Sequence, residues 1–162
     1  MATLKDIIYY ILKKYPNKKH LSNARLTKLI YLIDWYSAIH YNKQISNIKW
    51  YFDNYGPFVW DVLDEIKKNP KLFKIKHTTN FFGNNKKIIE NIENNYNPNI
   101  NDHEKQVINK IIDITKDKNW SAFINLVYST YPILVSEKYS YLNLINKAKK
   151  FRELKKLKKD NK

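Results

Sequence analysis

Apolar residues fall at helical spacing from the start of the chain. Leu4, Ile7, Ile8, Ile11 and Leu12 follow an i, i+3, i+4, i+7, i+8 stripe, and Tyr15-Pro16-Asn17 closes that helix because proline cannot continue it. The stretch from Leu21 to Ile39 is apolar on more than one face: Leu26, Leu29, Ile30 and Ile33 share it with Tyr31, Leu32, Trp35 and Tyr36. A helix apolar nearly all round belongs in the middle of a domain, so this one is expected to be the hub of the fold. Ile45 to Phe52 reads as a short strand or helix. Asn54-Tyr55-Gly56-Pro57 then marks a tight turn in a chain with only 2 glycines and 5 prolines. Pro57 suits the first position of a helix running to about Lys68, with Val59, Val62, Leu63 and Ile66 inward.

The period changes after Asn69-Pro70. Leu72 to His77 and Lys86 to Glu93 flank a loop containing Gly83-Asn84, the pattern of a β-hairpin, although Ile88, Ile89 and Ile92 in the second run also suit a helix. Beyond the polar linker 94–99, Asn101 is placed to cap a helix with Glu104 three residues on and Val107, Ile108, Ile111, Ile112 and Thr115 inward. Asn119 caps a shorter helix with Phe123, Leu126 and Val127 inside, ended by Tyr131-Pro132. Tyr141, Leu144, Ile145, Ala148 and Phe151 form a last amphipathic helix that runs out into lysines. The expected class is mostly α (α+β): a compact helical domain over residues 1–146 with one small β-hairpin, followed by a basic helix end or tail over 147–162 that finishes at Lys162.

Composition narrows the setting. The N-terminus lacks the basic and long apolar regions of a signal peptide, no run approaches a transmembrane length, and there is no cysteine. These features read as a soluble cytoplasmic protein. The net charge of +15 has two readings. Lysine-rich faces bind polyanions through counterion release. Yet the only arginines are Arg25 and Arg152, while Lys, Asn, Ile and Tyr, which AT-rich codons supply, are abundant. The same field suits an acidic protein partner.

Candidate chemistry is sparse. His20, His40, His77 and His103 fall in separate elements, and two glycines cannot build a phosphate loop. Asp61, Asp64 and Glu65, joined by Asp34 or Asp53, are the residues a Mg²⁺-dependent nuclease would need, but carboxylates also favour a helix N-terminus. The reading is therefore a non-enzymatic protein with no cofactor and no metal. Binding features are richer. Trp50, Tyr51, Tyr55, Gly56, Pro57, Phe58 and Trp60 gather aromatics around the turn and form the candidate partner-binding set, within which Trp50, like Phe52, also suits the core. Lys149, Lys150, Arg152, Lys155 and Lys156 are the candidate nucleic-acid contacts of the alternative reading, though only Phe151 supplies a stacking ring there.

The helix Leu26-Thr27-Lys28-Leu29-Ile30-Tyr31-Leu32-Ile33-Asp34 is KLLYLAD-like. With Tyr55-Gly56-Pro57, Val59 and Leu63 after it, the chain resembles the Panacea domain, the SocA-like antitoxin family of bacteria and their phages. The resemblance runs roughly from the first helix to Pro132. Where the family often has a Thr-His-x-x-x-Pro-like stretch, Val127 to Pro132 carries Tyr128 at the place of the histidine. It implies a mostly helical fold with a small hairpin. It also implies an antitoxin that binds and neutralises, or presents for degradation, a toxin or effector encoded nearby, here as a bare module. A basic nucleic-acid-binding protein of a phage or mobile element is the alternative.

Overall fold

A computed structural model describes residues 2–160. In chain order its elements are α1 (Leu4–Lys14), a 3-10 turn (Lys18–His20), α2 (Asn23–Tyr41), β1 (Tyr51–Asp53), β2 (Gly56–Pro57), α3 (Asp61–Lys68), β3 (Phe73–Thr79), β4 (Asn85–Asn91), α4 (Asp102–Thr115), α5 (Trp120–Tyr128), α6 (Tyr131–Val135), β5 (Ser140–Tyr141) and α7 (Leu144–Asp160). The fold is mostly α with two small antiparallel sheets, β2-β1-β5 and β3-β4.

The expected hub is found. α2 is buried without interruption from Arg25 to Trp35 and packs against α3, α4, α7 and β4. Its own sequence explains this position: a helix with no polar face has no side to give to solvent. α1 is stapled beside it through Tyr15, whose hydroxyl accepts from the Arg25 guanidinium. That guanidinium also donates to the Thr115 and Lys118 carbonyls at 3.1 and 2.7 Å and lies 4.4 Å from the centre of the Phe123 ring. One buried arginine thus ties α1, α2 and the α4–α5 connection together.

The two asparagine caps form as expected. Asn101 Oδ1 accepts from the Glu104 amide at 2.8 Å and Asn119 Oδ1 from the Ala122 amide at 2.9 Å. Asn101→Ala is expected to cost about 1 kcal/mol, the usual value of such a cap, and to lower the thermal midpoint by a few degrees. The β3-β4 hairpin also forms in register, Phe73 opposite Asn91 and Thr79 opposite Asn85. The run that also suited a helix is a strand because the Ile89 amide donates to the Leu21 carbonyl at 2.9 Å, docking the hairpin on the start of α2.

Two expectations are corrected. Pro57 does not start a helix. Gly56 has φ +100, so the chain reverses at once after Asn54-Tyr55, and Pro57 pairs with Phe52 as strand β2. The Phe58 amide then donates to the Tyr51 carbonyl at 3.0 Å, which holds the chain extended until α3 begins at Asp61. A second hairpin therefore exists where a helix start was expected. Pro132 likewise does not end a helix; it sits in the first turn of α6, where its missing N–H is harmless. The basic segment that begins at residue 147 is part of α7, which is continuous to Asp160. Phe151 packs edge-on against Trp35 at 5.7 Å, and Arg152 caps α2 by donating to the Ala38 and Ile39 carbonyls. Lys162, the end of the expected tail, lies outside the described residues. Among the described residues no helix is long and apolar enough to cross a membrane.

Candidate partner-binding site

The turn is held by a buried carboxylate. Asp34, on α2, accepts from the Ile45 and Ser46 amides at 2.9 Å each, from Trp50 Nε1 at 2.9 Å, from Gln44 Nε2 at 3.2 Å and from the Ser46 hydroxyl. Burial lifts its carboxyl to about 6, while these donors pull it back down. Through these bonds it pins residues 44–50 to the hub. From that anchored base β1 leads out, flanked by β2 and β5. The Tyr139 hydroxyl donates to Asn54 Oδ1 at the apex of the turn. The Tyr139 amide bonds the Phe52 carbonyl at 2.6 Å and the Leu142 amide the Trp50 carbonyl at 2.7 Å. The turn is braced from both sides.

What it faces is a cleft of about 570 Å³. Its floor comes from α2, where Ala24 and Lys28 stand one turn apart. One wall is α5, where Trp120, Ile124 and Tyr128 recur every four residues and so share a face. The other wall is Asp53, Asn54 and Tyr55 of the turn with Phe58 and Trp60 after it. The Phe58 and Trp60 rings meet edge-on at 5.2 Å. Gly56 sits behind this wall. A β-carbon there would lie 3.5 Å from the Tyr128 ring and 3.8 Å from Lys28 Cε, and φ +100 disfavours any side chain. The glycine thus lets the turn close against both residues.

The expected site residues divide. Tyr55 is 81% exposed and Trp60 63%, and with half-buried Phe58 they line the cleft. Tyr51 lies on the far side of Trp60, in a neighbouring depression with Tyr139 and Tyr141. Gly56 and Pro57 are buried and shape the turn. Trp50 is not at the surface at all: it is 0% exposed, edge-on to Tyr31 at 5.5 Å and spent on Asp34. A third depression adjoins the cleft across Ala24 and Trp120, and the hairpin tip Phe81-Phe82 projects over it. Phe81 is 98% exposed, an apolar ring in water at the end of the β3-β4 hairpin. This tip was not singled out from sequence, where it reads as loop.

Lys28 is the main residue the sequence reading passed over. It is 3% exposed and lines the cleft. Burial lowers its ammonium to about 8, against a raising pull from Asp53. The available signal was a lysine standing among Leu26, Leu29 and Ile30 in a helix with no polar face.

The basic candidates lie elsewhere. Lys149, Lys150, Lys155 and Lys156 are exposed on α7, with Lys155 over the Phe151 ring at 4.8 Å, but Arg152 is committed to α2. Both arginines therefore serve the fold. Of the carboxylates a nuclease would gather, Asp34 is consumed by its donors, and among the described residues no three His, Asp or Glu side chains converge.

The molecule is a mostly helical domain in which α2, a braced hairpin turn and α5 enclose an aromatic-walled cleft. A family model described as antitoxin SocA-like, Panacea domain, matches residues 26–132, about two thirds of the chain. The protein belongs to that family. The matched range contains every wall of the cleft and leaves out α1 and α7. No curated protein and no solved structure matches the chain.

Proposed function

We propose that this protein acts in the bacterial or phage-infected cytoplasm as an antitoxin-like binder. It contacts a toxin or effector protein encoded nearby and neutralises it by occupying its surface, without catalysis. The observation that carries this reading is the row of exposed aromatics, Tyr55, Trp60 and Trp120, around a cleft on an otherwise lysine-rich molecule. Large aromatic side chains on a pre-shaped support desolvate well and lose little entropy on binding, which is what an interface hot spot needs. The brace from Asp34 and Tyr139 supplies the support. The positive field favours encounter with an acidic partner.

Tyr55→Ala and Trp60→Ala are each expected to weaken partner binding by about 2 kcal/mol, roughly thirtyfold. Folding stability should move by less than about 1 kcal/mol, since both side chains are largely in water. The test is a paired capture from nuclease-treated host extract at high salt, wild type against the double variant, with stoichiometric proteins identified and then co-expressed to score growth. A protein captured by the wild type, lost with the double variant and toxic when expressed alone supports the proposal. Equal capture by both, or nucleic acid alone that elutes as salt rises, overturns it.

A further inference from the structure

Lys28 is a cation in a place where the fold gives it nothing to hold. Its stem lies against Gly56, and the side chain as a whole is covered. Among the described residues its ammonium has no hydrogen-bond acceptor and no carboxylate within 4 Å; the one ion pair is Lys116 with Asp113 at 3.6 Å. Asp53 lends some negative charge, but one of its carboxylate oxygens accepts from the Asn54 amide at 2.8 Å and no bridge to Lys28 forms. The stem is covered while the ammonium, with no protein partner, opens onto the cleft, so a guest carboxylate there would supply the partner that the fold does not.

We infer that the Lys28 cleft is a carboxylate-recognition subsite, seating an aspartate or glutamate side chain of a partner protein whose flanking apolar residues lie on Tyr55, Trp60 and Trp120. The inference rests on the reading of this face as the one that meets a partner. The choice of guest follows from the ammonium: Lys28 is the sole cation lining the cleft, and Asp53, the one anion there, forms no bridge to it. One ammonium balances a carboxylate, whereas a phosphate dianion calls for several donors or an arginine fork. Size points the same way. About 570 Å³ walled by five aromatic rings far exceeds what a free small carboxylate fills, and suits a short segment with an acid between apolar side chains. The net charge of +15 favours approach of an acidic surface.

The experiment is a selection from a random peptide library displayed on phage, run in parallel on wild type, Lys28→Met, Trp60→Ala and, as a control for charge alone, Lys110→Met on the exposed side of α4. Wild type and Lys110→Met are expected to enrich peptides with one fixed Asp or Glu beside aromatic or aliphatic positions. Lys28→Met should lose the fixed acid and keep the apolar positions, and Trp60→Ala the reverse. For the winning peptide, an acid-to-amide change should weaken binding at least about tenfold on wild type and less than about twofold on Lys28→Met, the pattern of a direct pair. No enriched peptide, no fixed acid, or the same acid selected on Lys28→Met overturns the subsite. Apolar positions that persist in that case leave the face intact as a protein-binding one. Peptides indifferent to both Lys28→Met and Trp60→Ala overturn the face as well.

Discussion

Asp34→Ala is expected to cost about 3–5 kcal/mol of folding stability, the range in which loss of a buried, charged hydrogen-bond network falls. The carboxylate has no exposure and five donors aimed at it, two of them backbone amides that have no other acceptor. Removing it leaves the Ile45 and Ser46 amides and the Trp50 indole N–H unpaired in the core. The damage spreads along the chain, because residues 44–50 carry β1 and β1 carries the turn that walls the cleft. Asp34→Asn keeps an acceptor oxygen for part of the set and should cost clearly less. Urea unfolding followed by tryptophan fluorescence measures both. An Asp34→Ala protein within about 1 kcal/mol of wild type contradicts the role given to this residue.

The second large effect has the opposite sign. Lys28→Met is expected to stabilise the free protein at pH 7, by up to roughly 3 kcal/mol. The ammonium falls from its ordinary 10.5 to about 8 on burial, and each tenfold is worth about 1.4 kcal/mol. Below about pH 8 the folded protein holds the charge at a cost set by the covering of its stem and partial desolvation of its ammonium. As pH rises from about 8 to about 10.5 the folded form sheds its proton before the unfolded chain does, so wild-type stability recovers. The advantage of Lys28→Met should therefore be greatest at neutral pH and vanish above about pH 10.5. Methionine keeps the length and packing of the stem, so the comparison isolates the charge. A residue whose loss stabilises the fold and removes acid-dependent binding is one retained for what it binds. Denaturant midpoints of the two proteins at pH 7, 9 and 10.5 decide the matter. A destabilised Lys28→Met at pH 7, or a difference that ignores pH, contradicts it.

Local signals made much of the fold legible. The stripe of α1, the all-round apolar character of α2 and the asparagine caps at 101 and 119 depend on neighbours within a few residues, and each forms as the pattern predicts. Gly56-Pro57 misled because the same dipeptide suits a helix start and a hairpin turn. The choice was made by pairing with Phe52 and by β5, a two-residue strand almost ninety residues away. The site was legible only in part. An aromatic cluster around the turn is visible in sequence, but whether Trp50 fills the core or the surface depends on a carboxylate sixteen residues earlier. Lys28 needed more still. Gly56 sits beside both it and Tyr128, so residues from a helix, a turn and a second helix meet at one place only in three dimensions. Periodicity reports which face of a helix is apolar, not which polar residue on it will be covered.

Photo-crosslinking inside the host asks whether a partner protein sits on the aromatic cleft. p-Benzoylphenylalanine is placed at Tyr55 in one protein, and at Lys110 in another as the control. One discrete protein adduct is expected from position 55, formed in nuclease-treated as well as untreated cells, and none from position 110. No protein adduct at 55, or the same adducts from both positions, would contradict a partner seated on the aromatic cleft.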